Sequence, residues 1–126
     1  MPTSTTGHVV TTDPNTQHVE VLTADGTHTI ATSDRGHVLH ETGIQDRWYI
    51  PVEDVHVELE ATDTTSHCPF KGDASYWTPN VGAGEPLTDV AWSYEAPKEA
   101  AHAVKGEVSF WGDKVQVLVD GEPVTI

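Results

Sequence analysis

Chemistry-bearing side chains crowd into one stretch, Thr64 to Trp77, which reads TTSHCPFKGDASYW. It holds the single cysteine of the chain, Cys68, three residues before Lys71, and a neighbouring ammonium favours the nucleophilic thiolate over the thiol. A cysteine nucleophile also needs a base. His67 is adjacent, but in extended backbone it faces the other way, which leaves His40 or another distant histidine. Lys71 is suited to hold a carboxylate or phosphate as a point charge, and Arg47 to hold one as a planar fork. With only six basic residues in the chain, two that sit among Tyr, Trp and Phe carry unusual information. The plainer reading for each is an ion pair with Glu41, Asp46 or Asp73, or packing of the stem on a ring.

Tyr49, Trp92 and Tyr94 are the expected walls of a binding site. Trp92 and Tyr94 stand two apart and share a strand face, whereas the consecutive Tyr76 and Trp77 face opposite ways, so one packs while the other lines a cleft. Trp48 and Trp111 are assigned to packing. Gly72, next to Lys71, lets the backbone turn or approach a ligand closely. Glu41 with a tyrosine offers acid/base chemistry as an alternative to Cys68. Glu58 and Glu60 share a face, but exposed alternation explains them. The eight histidines have no recognised ligand spacing, so neither a metal site nor a cofactor is expected.

The elements that must position these residues are short. Val19, Val21, Thr27, Thr29 and Ala31 alternate around Ala24-Asp25-Gly26, a hairpin signal. Further strands are expected at His37 to Glu41, Arg47 to Ile50, Val55 to Glu60 (VHVELE), Ala74 to Trp77, Ala91 to Tyr94, Val108 to Trp111 and Val115 to Val119. Pro51 stops one of them and opens a tight bend or helical turn. Pro97, Ala101 and Val104, followed by Gly106, predict one short helix over 97–105. Residues 1–17 are polar and Thr-rich and read as a flexible lead-in or a loosely attached edge, with a single β-rich domain over 18–126. The class is mainly β, in small curved antiparallel sheets.

Twenty acidic against six basic residues give a formal charge of -14, which repels phosphate backbones and anionic lipid. Nucleic acid and membrane are therefore not expected partners. The carboxylates are scattered rather than blocked, a pattern suited to molar salt, where the Debye length is about 3 Å and self-repulsion is screened. Apolar runs are short and the N-terminus lacks a signal-peptide pattern, so a cytoplasmic location is expected. One cysteine excludes an intramolecular disulfide and leaves stability to packing.

ETG, then RWYIPVEDV, then TSHCPFKGDASYW, then AWSYEAPKEA together resemble the domain of unknown function 427 family over about residues 18 to 120. That family is sometimes filed under a nucleotidyltransferase-like label, and the acidic composition resembles a haloarchaeal-type member. The resemblance implies a β-tent fold, shared with zinc-binding nucleotide-exchange chaperones, methionine sulfoxide reductase B and cereblon-type domains. Zinc knuckles of the CxxC type mark many of those proteins and cannot be built from Cys68 alone. The residues supply no Gly-rich phosphate loop with a lysine and no well-placed Asp pair for Mg²⁺. Three functions follow as expectations. The first is binding of a small anionic ligand by Lys71 and Arg47 within aromatic walls. The second is a cofactor-independent enzyme, acting on a nucleotide-like substrate through Cys68 or Tyr/Glu chemistry. The third is a homodimeric interaction module.

Overall fold

Alternating apolar residues over short runs become strands because successive side chains point to opposite faces. The computed structural model describes residues 7–126. Its strands are β1 (Val10–Pro14), β2 (Val19–Thr23), β3 (Thr29–Ser33), β4 (His37–Glu41), β5 (Ile44–Tyr49), β6 (Glu58–Cys68), β7 (Gly72–Asn80), β8 (Ala91–Tyr94), β9 (Val108–Phe110), β10 (Val115–Val119) and β11 (Glu122–Val124). They form three antiparallel sheets, ordered β1-β4-β5, β11-β10-β2-β3 and β6-β7-β8-β9. The fold is mainly β, as the sequence predicts.

Two cores hold the sheets together. Val19 and Val21 of β2 and Val115, Val117 and Val119 of β10 turn inward on alternate positions and pack with Ala91, Val108 and Phe110. Each large apolar side chain buried there contributes about 1.5–3 kcal/mol relative to exposure. A second core gathers Leu39, Tyr49, Ala74, Trp92, Tyr94, Ala101 and Val104. Strands β7 and β8 separate the two, because Ala91 faces one core and Trp92 and Tyr94 face the other. A mutual hydrogen-bonded bridge between Ile50 and Val108 ties the end of β5 to β9. Gly36 permits the entry to β4: its φ is +88°, and a Cβ there would collide with the Tyr49 carbonyl oxygen.

Several expectations change. The helix expected over 97–105 is a 3-10 turn, Glu99–Val104, with non-helical dihedrals at Ala101. Only Ala101 and Val104 of that turn are buried, an i, i+3 spacing that suits a 3-10 turn, and the segment is too short to offset helix nucleation. Residues 10–14, within the stretch expected to be a flexible lead-in or a loosely attached edge, form edge strand β1, paired in register with β4 from Val10 opposite Glu41 to Pro14 opposite His37. Backbone pairing holds this strand despite its polar side chains; residues 1–6 lie outside the described residues. VHVELE is split, with Val55 in an isolated bridge to Ala31 and β6 starting at Glu58. The same strand runs on through Thr64 to Cys68, so the TTSHCPFKGDASYW stretch is a hairpin with Cys68 opposite Gly72 and its turn at Pro69–Lys71. No helix among the described residues is long and apolar enough to cross a membrane.

Candidate functional site

The second core opens at one end into a hollow of about 250 Å³ between the β4–β5 hairpin and the β7–β8 face. Strand alternation sends Leu39 and Glu41 of β4 inward, while β5 contributes Gln45 and Arg47. The hairpin turn delivers Lys71, β7 delivers Tyr76, and β8 delivers Trp92 and Tyr94. Five residues singled out from sequence, Glu41, Arg47, Lys71, Trp92 and Tyr94, thus line one cavity although they span residues 41 to 94.

The two cations differ in what they touch. Lys71 Nζ donates to Glu41 Oε1 at 2.6 Å, and the side chains are only 12% and 5% exposed. Glu41 Oε2 lies 3.0 Å from His8 Nε2, and the His8 ring stacks on Phe70 at 3.9 Å. Both carboxylate oxygens of Glu41 are therefore engaged. Arg47 instead lays its guanidinium over the Trp92 ring, 5.3 Å from the centroid, and its Nη1 is buried with no hydrogen-bond partner. Burial lowers the Arg47 pKa below its ordinary value, against the raising effects of Tyr49 and Glu41. Leaving a buried donor unsatisfied costs about 1–3 kcal/mol, more when it is charged.

Tyr49 lies beneath the hollow and does not line it; its hydroxyl accepts the Trp92 Nε1 hydrogen bond at 3.1 Å, and the two rings meet edge to face. Burial drives its pKa strongly upward. Tyr94 is shifted the same way, by burial and then by Cys68. Both phenols therefore remain neutral donors across the physiological range. Tyr76 completes the wall, with its hydroxyl 2.9 Å from Ser66 Oγ.

Gly72 sits away from the hollow. Its φ is +114°, and a Cβ would come within 3.4 Å of the Ala96 carbonyl oxygen, so it serves the close approach of the 96–98 segment, fixed by Lys98 N–H donating to the Lys71 carbonyl. Cys68 is a free, half-buried thiol at the end of β6. Neither histidine considered as its base is free to serve it. His67 Nδ1 is 2.6 Å from Asp73 on the exposed side of the hairpin, and His40 lies between Asp46 at 2.8 Å and Asp13 at 3.1 Å. Among the described residues no group of three or more His, Cys, Asp or Glu side chains could hold a metal ion.

Leu39, Ile44, Gln45 and Trp111 also line the hollow and were not foreseen as lining it. Trp111, assigned to packing from sequence, is 46% exposed at the mouth and donates Nε1–H to the Asp89 carbonyl. A signal was present, since Gly112-Asp113 marks a turn at which a strand side chain leaves the core. Trp48 does pack against the first core, though its Nε1 lacks a partner.

The described residues thus form three antiparallel sheets, with two cations and aromatic rings lining a shared hollow. The chain matches the family described as a domain of unknown function, number 427, over residues 11–121, and it belongs to that family. No curated protein matches it.

Proposed function

We propose that the domain binds a small anionic molecule in the hollow between β4–β5 and β7–β8, with Arg47 as the group that holds the anion. The observation that carries this reading is Arg47, which lines a cavity walled by Trp92, Tyr94 and Tyr76 and has a buried Nη1 with no hydrogen-bond partner. A ligand oxygen at the guanidinium would form a charge-assisted hydrogen bond. Lys71 takes a lesser part than its sequence context suggests, because Glu41 occupies its ammonium. It orients Glu41 and adds field rather than contact. The reading places the protein in the cytoplasm of a cell with high internal salt, with no nucleic-acid or membrane partner; the formal charge of -14 supports the salt and the last two points.

The test is isothermal calorimetry and thermal shift with a panel of small carboxylates and phosphates, on wild type beside Arg47→Met. Saturable binding that disappears in the variant is expected. Binding of equal strength in Arg47→Met overturns the assignment.

A homodimer is the second reading, favoured by Ile44 and Trp111, which are 44% and 46% exposed where they border the hollow. Sedimentation of wild type and of a doubly substituted Ile44→Ser, Trp111→Ser protein decides it. An unchanged monomer in both removes the reading.

A further inference from the structure

We infer that the hollow selects a monoanion, a carboxylate carried on a single flat or short apolar body, and rejects dianions such as phosphate monoesters and nucleotides. This rests on the proposed anion-binding role and narrows it to one class of ligand.

Charge balance leads to this class. The ionic side chains lining the hollow are two cations, Arg47 and Lys71, and one carboxylate, Glu41. They leave a single net positive charge. Glu41 is 5% exposed and contacts Lys71 and His8 through its two oxygens, so its carboxylate is held in place beside the ligand. A monoanion on Arg47 brings the site to neutrality. A dianion leaves one negative charge uncompensated in a partly desolvated site next to Glu41, where like-charge repulsion is weakly screened. The acidic exterior adds to the discrimination, since a formal charge of -14 repels a doubly charged ligand twice as strongly on approach.

Size and lining agree. At about 250 Å³ the hollow falls below the range of about 300–1,000 Å³ usual for drug-sized ligands, which favours a small body. Leu39, Trp92 and Tyr94 offer apolar and aromatic surface to the body of the ligand. Arg47 lies over the Trp92 ring and lines the hollow, and a planar guanidinium matches a carboxylate better than a tetrahedral phosphate surrounded by water.

The experiment uses a charge series on one ring: benzamide, benzoate and phenyl phosphate, titrated calorimetrically into the full-length protein at pH 8. The phosphate monoester is then a dianion. Benzoate is expected to bind about tenfold or more tightly than phenyl phosphate, with no binding of benzamide. Glu41→Gln raises the net charge of the site by one and is expected to shift preference toward phenyl phosphate by about tenfold, an inversion that loss of packing alone would not produce. If Glu41→Gln does not fold, the wild-type ranking decides alone. Phenyl phosphate binding as tightly as benzoate overturns the monoanion inference and leaves anion binding by Arg47 standing. Benzamide binding as well as benzoate, or no binding of either anion at millimolar concentration, overturns both.

Discussion

Strands β7 and β8 present hollows of similar size on their two faces, about 250 Å³ on one and 280 Å³ on the other, yet the two are built differently. The second is lined by Val55, Val57, Leu59, Trp77 and Val108, and its polar atoms satisfy one another. Trp77 Nε1 donates to Ser93 Oγ at 2.9 Å, and Ser93 Oγ donates onward to Glu95. On the first face, Trp92 is likewise satisfied by Tyr49, but Arg47 has a buried nitrogen with nothing to bond. Volume alone does not separate a packing defect from a site. An unmet charged donor at a hollow does, because a fold tolerates it only at a cost in stability, whereas the neutral Trp48 Nε1, also unpartnered, borders neither hollow.

The largest expected effect lies on the packed face. Phe110 is 2% exposed, and Phe110→Ala is expected to destabilise the protein by about 3–5 kcal/mol in urea unfolding. Ligand affinity of the remaining folded protein should hold. Loss of affinity in step with stability would break the separation of the two faces.

Lys71→Met comes next, since it leaves Glu41 buried without its ammonium partner. A loss of about 3 kcal/mol is expected, largely recovered in the Lys71→Met, Glu41→Gln double variant. Additive losses in the double-mutant cycle would show that the pair is not coupled.

Arg47→Met sharpens the comparison because its effect has the opposite sign. Removing the unsatisfied donor outweighs the lost contact with Trp92, so the variant should gain about 1 kcal/mol in stability while losing its ligand. A destabilised variant would place Arg47 among structural residues.

The smallest effect concerns pH and lies outside both hollows. His40 has a raised pKa, first through its hydrogen bond to Asp46 and also through Asp13, and His18 is raised by Asp34. A raised histidine contributes stability that is full below its unfolded pKa of 6.5 and is lost as pH rises through the folded value. The melting temperature should therefore decline slightly from roughly pH 6 to pH 8. His40→Gln should flatten that slope without altering ligand affinity.

Legibility of the fold followed burial. Strands β4, β8 and β10 were readable to the residue because apolar side chains alternate or cluster between clear turn signals. Strand β1 and the second half of β6 were not, since their side chains are mostly exposed and leave no period. The helix signal at 97–105 failed because caps mark where a helix can start and stop but supply none of the packing it needs. Within the site, Trp92 and Tyr94 could be placed on one face from their spacing, whereas Trp111 and Gln45 joined through contacts far along the chain.

By itself the sequence determined the strand periodicity, the acidic surface and the small set of cations and aromatics from which a site could be made, because each is a property of local order or composition. Only the tertiary structure decided how those groups are used. It paired Lys71 with Glu41, thirty residues away, and laid Arg47 on Trp92 with one nitrogen unmatched. Which cation is satisfied depends on which strands meet, and strand order across sheets is set by long-range packing that no local pattern encodes.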